Sequence, residues 1–273
     1  TTIGAMRMTG GATRAITFTA GTEVLNLALG GLLRSNEAFA LNVGTTALRG
    51  VLTSGGTATT GTTDLVTWHN QNTITINSVI ADNGLGNKTR LVKSGPAGLT
   101  LTAANTYTGG TVVDQGTLTI NATAGAGTVV IPGDLTLNNA NLTESTNGGQ
   151  IAATSNVVLN GSSVLTLAGT SNTLNSVTFN NTGGNATPTV ATGTLLILSS
   201  ATPITVTNDN FSFTPTISGT ELNLVDGAAI STSGLSADAL IISAKITTAA
   251  WTTPLIKTGT GSLVLSSTTS AFA

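Results

Sequence analysis

The sequence predicts an all-β chain wound as a parallel β-helix, a β-solenoid of stacked strand–turn units, and three observations carry that prediction. Apolar and small polar residues alternate through Lys93–Ile120 (KSGPAGLTLTAANTYTGGTVVDQGTLTI), at Leu99 and Leu101 and again at Leu118 and Ile120, which is the period of a half-buried strand. Gly95, Gly98, Gly109, Gly110 and Gly116 punctuate the same stretch where the backbone has to turn. A second, imperfect copy begins at Lys257 with KTGTGSLVL. A repeated unit that cannot bury its apolar face alone has to stack on its neighbours.

Composition supports this reading. Of the 273 residues only 7% are charged, against roughly 25% in an ordinary globular chain, so the polar surface must come from Thr, Ser, Asn and Gly. Hydrophobic residues make up 40% and mean hydropathy is +0.32, enough for a long, thin core of Leu, Ile and Val in strands that favour β-branched residues. A net charge of −2 is no footprint for nucleic acid. With no cysteine, disulfides and thiolate metal sites are excluded. The opening TTIGAMRMTG lacks a basic segment followed by an apolar run, and no apolar run reaches the roughly 18 residues of a membrane helix. Aromatic content of 3% is too low for the girdles of a membrane barrel. The expectation is no membrane insertion of this segment, with any targeting and anchoring parts lying outside it.

Taken in order, TTIGAMRM alternates and Ala15–Thr19 reads as a strand. Glu23–Leu33 is apolar at nearly every second residue, and Gly30-Gly31 argues against a helix there. Ala38–Val43, the start of Val51–Gly61, Leu65–Trp68 and Thr73–Ile80 follow, with Asn83-Gly84 as a turn. Beyond the central repeat the strands expected are Thr128–Ile131, Leu135–Leu137, Asn156–Leu159, Val164–Leu167, Ser176–Phe179, Leu195–Leu198, Ile204–Val206, Phe211–Phe213, Leu222–Val225, Leu240–Ile242, Leu255–Ile256 and Leu263–Leu265. Corresponding strands recur every 16–22 residues or so, and no convincing helix is found. A larger repeat encloses the two copies: Asn72–Ile80 aligns with Asp238–Ile246, and LVKSG at Leu91–Gly95 with LIKTG at Leu255–Gly259. The expectation is a continuous solenoid made of a module over residues 1–110 and one over 111–273, forming a single elongated rod of about a dozen coils and about 60 Å. The second copy stops short at Ala273, and TTIGAMRM resembles the latter half of the first. Both suggest a segment of a longer repetitive chain, or a subunit that stacks head to tail on further copies of itself.

From Leu91 to Leu118 the residues resemble the autotransporter-associated β-strand repeat, also called the passenger-associated transport repeat. Leu91, Lys93, Gly95, Leu99, Leu101, Asn105, Tyr107, Gly109, Thr111, Gly116 and Leu118 match its pattern, while Ala97 and Ala103 stand where glycine is usual. The later copy keeps Lys257, Gly259, Gly261, Leu263 and Leu265, then departs at Ser267-Thr268-Thr269, with Phe272 near the aromatic position. The resemblance implies a right-handed parallel β-helix in large exported bacterial surface proteins, where the repeat serves as a stalk and aids secretion without catalysing a reaction.

No residue set points to catalysis, to a cofactor or to a metal. His69 is the only histidine, without a second ligand at metal spacing, and reads as a surface or turn residue. Glu221, Asp226 and Asp209 are the carboxylates that would meet across coils in a polysaccharide-cleaving helix, and turn or solubility roles are the simpler account. Lys93 and Lys257 recur at matching places, either for cross-linking or, the favoured reading, as strand-end charges that discourage edge pairing. Tyr107 reads as a packing aromatic. Thr-x-Thr pairs at Thr17, Thr73, Thr100, Thr117 and Thr205 are spaced too irregularly for an ice- or crystal-binding ladder, and outward-facing strand residues explain them. The function expected is mechanical: an extracellular stalk or fibre segment at a bacterial surface. Two alternatives stay open: an adhesin that binds host or matrix glycan or protein, and a polysaccharide-active enzyme.

Overall fold

A computed structural model describes residues 1–34, 39–122, 127–249 and 252–270. The described residues are all strand, turn and loop, with no helix, and the chain divides into two units, Thr1–Gly133 and Asp134–Ala273. Each is a parallel β-solenoid.

In the first unit, face one stacks the strands Met6–Met8, Gly31–Arg34, Thr62–His69, Lys88–Ser94 and Thr111–Val113. Face two stacks Arg14–Ile16, Leu41–Val43, Ile74–Ile76, Leu99–Leu101 and Thr117–Ile120. A shorter face three stacks Thr2–Ile3, Val24–Leu27, Val51–Ser54 and Val79–Ile80. The chain visits the faces in rotation, so each strand pairs in parallel with its counterpart one coil later. Parallel pairing puts like over like: Leu41, Ile74, Leu99 and Leu118 form one inward row, and Val43, Ile76, Leu101 and Ile120 form the next. All eight are fully buried, each worth about 1.5–3 kcal/mol relative to exposure. Thr75, Thr100 and Thr119 stack between them on the outside.

In the second unit, face one runs through Leu135–Asn138, Asn156–Asn160, Ser176–Asn181, Ile204–Asn208, Ala229–Ser233 and Ile256–Thr258. Face two takes Asn141–Glu144, Val164–Thr166, Thr189–Ala191, Thr216–Ser218, Leu240–Ile242 and Leu263–Leu265, and face three takes Asn172–Leu174, Leu195–Leu198, Glu221–Leu224 and Lys245–Thr247. Leu137, Leu159, Phe179 and Val206 make an inward row here.

Several sequence expectations change. Successive coils are 20 residues apart where Leu91 lies against Thr111, but 35 apart where Gly31 lies against Val66, a wider range than 16–22. Loops at the corners absorb the difference, because loop-closure entropy rises slowly with length. Glu23–Leu33 is two strands on different faces, divided at Gly30. That residue has φ +72°, and a Cβ there would sit 1.6 Å from the Asp64 carbonyl oxygen of the next coil. Phe211–Phe213 is a bend with Phe211 exposed, and Thr128–Val130 is not a strand. Asn141–Glu144, Thr189–Ala191, Thr216–Ser218 and Lys245–Thr247 are strands the alternation misses. Each has a single inward apolar residue, namely Leu142, Val190, Ile217 or Ile246, and one residue defines no period. In the Ala38–Val43 stretch, Leu41–Val43 is strand and Ala38 lies outside the described residues, as do Glu37 and Phe272.

The inward rows predict a sharp contrast between two leucines. Leu118→Ala should cost about 2–5 kcal/mol in urea unfolding, whereas Leu235→Ala, at a corner where the side chain is 75% exposed, should stay within about 0.5 kcal/mol.

Candidate functional site

The first repeat copy occupies two faces and the corners between them. Lys93 lies on face one, stacked on Thr67 and under Val113. Its side chain points inward because it shares the parity of Leu91, and it is fully buried. The ammonium donates to the carbonyl oxygens of Gly95 (2.5 Å) and Gln115 (2.8 Å), tying the corner of its own coil to the corner of the next. Burial pushes its pKa down to about 8. Lys93 is therefore neither exposed for cross-linking nor a guard against edge pairing. Gly95 has φ +83°, and a Cβ would lie 2.3 Å from the His69 carbonyl oxygen of the preceding coil. The chain then enters face two, where Leu99 and Leu101 join the inward rows and Leu118 and Ile120 cover them.

Between Leu101 and Thr111 no strand forms on face three, and Asn105 takes its place. Its Oδ1 accepts the Ile80 amide of the coil before (2.9 Å), and its Nδ2 donates to the Val130 carbonyl of the coil after (2.8 Å). The Thr106 amide continues the ladder to the Ile80 carbonyl. One asparagine thus satisfies backbone groups on both sides of a gap, which otherwise would be buried without partners. Tyr107 is fully buried, its hydroxyl 2.6 Å from Thr111 Oγ1, and burial raises its pKa. Thr111 in turn stacks on Leu91. At Gly109 the amide donates to the Thr89 carbonyl, and a Cβ would meet that oxygen at 2.5 Å. Gly116 approaches the Pro96 carbonyl in the same way.

The second copy sits at the same point of the winding. Lys257 on face one donates to the Gly259 carbonyl at 2.6 Å, repeating the Lys93–Gly95 contact. Gly259 packs against the Thr232 carbonyl as Gly95 does against His69, and Gly261 accepts from Thr232 Oγ1 at 2.7 Å. Leu263 and Leu265 stack on Leu240 and Ile242. The longer alignment holds face by face as well: Ile74–Ile76 and Leu240–Ile242 are both face-two strands, and Val79–Ile80 and Lys245–Thr247 both face-three strands. The Lys257 side chain, unlike that of Lys93, is exposed.

Most of the carboxylates among the described residues hold successive coils together, a role that sequence reading missed; Glu23 instead accepts from Thr19 and Ala20 within its own corner. Asp82 accepts Thr108 N (3.0 Å) and Thr108 Oγ1 (2.7 Å), Asp134 accepts Asn156 N (2.8 Å), and Glu144 accepts Ala168 N (2.9 Å). Asp209 accepts Leu235 N, Asp226 accepts Thr252 N and Thr253 N, and Glu221 accepts Thr247 Oγ1. Asp64 pairs with Arg90. Each of these bridging partners lies one coil further on. Glu221, Asp226 and Asp209 are thus each occupied with a neighbour in the winding. Their regular separation from their partners is the signal that could have revealed this. Among the described residues no three His, Asp or Glu side chains gather in a metal-binding group. His69 is no surface residue: it shares the inward parity of Leu65 and Thr67 and is fully buried.

The buried and exposed copies of the lysine predict different costs. Lys93→Met leaves the buried Gly95 carbonyl and the partly buried Gln115 carbonyl without this donor and should cost about 1–3 kcal/mol, while Lys257→Met should change stability by less than about 0.5 kcal/mol. Asn105→Ala, which orphans Ile80 N and Val130 O, should cost about 2–4 kcal/mol. Denaturant midpoints at an unchanged m-value check all three.

A comparison with protein families matches residues 91–120 and 255–273 to the passenger-associated-transport-repeat. No curated protein and no solved structure matches the chain. The matched segments are the two Lys-Gly copies, at equivalent points of a parallel β-solenoid, and the family is one of secreted or surface proteins. The chain thus carries two segments similar to the passenger-associated-transport-repeat, set in a parallel β-solenoid.

Proposed function

We propose that this chain is a non-catalytic stalk segment of a bacterial protein exported to the cell surface or beyond, built to extend by adding coils. The observation that supports it most is where the repeat's polar residues go. Lys93, Asn105 and Thr111 are buried and bonded within the winding, and most of the acidic side chains among the described residues bind the coil that follows. Chemistry-bearing groups that serve neighbouring coils are not free to serve a substrate. Each coil offers the next a row of unpaired backbone groups and a row of apolar side chains, so folding propagates from coil to coil. An exported chain folding this way would be drawn outward as it winds. The partner this reading calls for is more of the same fold, because a strand edge is satisfied only by a further coil.

A second reading, an adhesive flank that binds a neutral glycan, has one observation in its favour. On the outside of the second unit Asn138, Asn160 and Asn180 stack in register, each amide bonded to the next at 2.7 and 2.9 Å. Thr207 and Ser233 continue the row, and it bears no charge.

Negative-stain electron microscopy of the purified chain, paired with a glycan array, separates the two. The stalk reading expects slender particles that bind no glycan above background and resist protease at room temperature. Saturable binding to one neutral glycan, lost in Asn160→Asp, would replace it with the adhesive reading.

A further inference from the structure

Each face-one strand that ends in an inward polar residue brings that side chain to the corner leading to face two. There it has a common task. Arg34 donates from Nη2 to the Phe39 carbonyl (2.8 Å), Asn181 from Nδ2 to the Phe213 carbonyl (2.5 Å), and Asn208 from Nδ2 to the Asp238 carbonyl (2.8 Å). His69 ends its strand at the same position, directly over Arg34 in the ladder, and does none of this. It is fully buried, and neither Nδ1 nor Nε2 has a hydrogen-bond partner.

Among the described residues, the buried charged groups of the coils on either side of His69 are both cations. Arg34 lies in the coil before it, with Nη1 unpartnered. In the coil after it the Lys93 ammonium is bonded to the carbonyl of Gly95, the residue packed on the His69 backbone. Across the interior, face two presents Ile74, Ile76, Leu99 and Leu101, and face three presents Leu52 and Ile80. The one buried carboxylate among the described residues, Glu144, belongs to the other unit. A proton taken up by His69 would therefore place a third cation between Arg34 and Lys93, with no buried carboxylate of this unit among the described residues to meet it.

We propose that His69 is an acid-operated release in the first unit: neutral, it lets the coils from Gly31 to Ser94 stay closed, and protonated, it opens them while the second unit remains wound. The proton comes from solvent and goes to a ring nitrogen, and no other bond changes. Burial first, and the Lys93 charge second, hold the folded histidine down at about 4, against 6.5 for the free side chain, and outweigh the Asn72 backbone, which favours the protonated ring. As pH falls, the opened corner takes the proton before the closed one does. The closed state is unaffected above pH 6.5 and loses stability progressively from there to pH 4. The second unit contains no histidine, which makes the effect selective.

The test is hydrogen exchange by mass spectrometry on the full chain at pH 7.5 and 5.0, corrected for intrinsic rates, with wild type, His69→Asn and His69→Leu. With a folded value of about 4, linkage predicts about a thirtyfold loss of protection in Gly31–Arg34, Thr62–His69 and Lys88–Ser94 of the wild type. Ser176–Asn181 and Ile204–Asn208 should keep theirs, and both variants should hold the first-unit strands nearly unchanged. His69→Asn copies the residue at the corners of the second unit, and His69→Leu serves if the asparagine variant fails to fold. The proposal is overturned if the wild type keeps its protection at pH 5.0, if both units lose it together, or if the variants lose as much as the wild type.

Discussion

Everything in this protein depends on parallel backbone pairing of each strand with its counterpart one coil later. That pairing fixes the register, and the register decides which side chains share an environment. Once Leu41 lies under Ile74 and Ile74 under Leu99, an inward position in one coil is inward in all. A low-charge, Thr- and Asn-rich composition follows, because each outward row repeats at about 4.8 Å. Like charges stacked at that spacing would repel, whereas hydroxyls and amides bond to one another, as Asn138, Asn160 and Asn180 do.

Most of the carboxylates among the described residues bridge coils. They accept backbone amides and hydroxyls of the following coil, which puts opposite partial charges rather than like charges next to each other. Glu144 carries this inside, where burial raises its pKa despite the amides of Ala168 and Gln150. The interior of the first unit holds the buried basic side chains found among the described residues. There Arg34, His69 and Lys93 follow one another on face one, and two of the three are paired with carbonyl oxygens. The repeat motif is best understood as a set of solutions to corners. Glycines let coils touch, Lys93 joins two corners, and Asn105 replaces a missing strand.

Much of the fold was legible in the sequence because glycine and alternating Leu, Ile and Val speak directly of turns and buried faces. The repeat residues, the parallel solenoid and the equivalence of the two copies all follow from that grammar. What stayed hidden has a common cause. His69 and Lys93 were read by residue type, as surface groups, although their parity with Leu65 and Leu91 already turned them inward. Strands with one apolar residue, such as Asn141–Glu144, fell below the level at which alternation is detectable. Coil length was underestimated because loops such as that between Ser54 and Thr62 vary without disturbing the ladder.

The central claim is the register itself, and a chain without cysteine allows it to be measured directly by disulfide formation. Thr100 and Thr119 face outward as direct neighbours in the first unit, as do Thr178 and Thr205 in the second. Cysteine pairs at those positions would have Cα atoms about 4.8 Å apart, within disulfide range. Under mild oxidation Thr100→Cys/Thr119→Cys and Thr178→Cys/Thr205→Cys should close intrachain disulfides rapidly. The pairs displaced by two residues, Thr100→Cys/Thr117→Cys and Thr178→Cys/Thr207→Cys, should not. Equal closure of matched and displaced pairs, or closure of neither, would contradict the stacked parallel register on which the account rests.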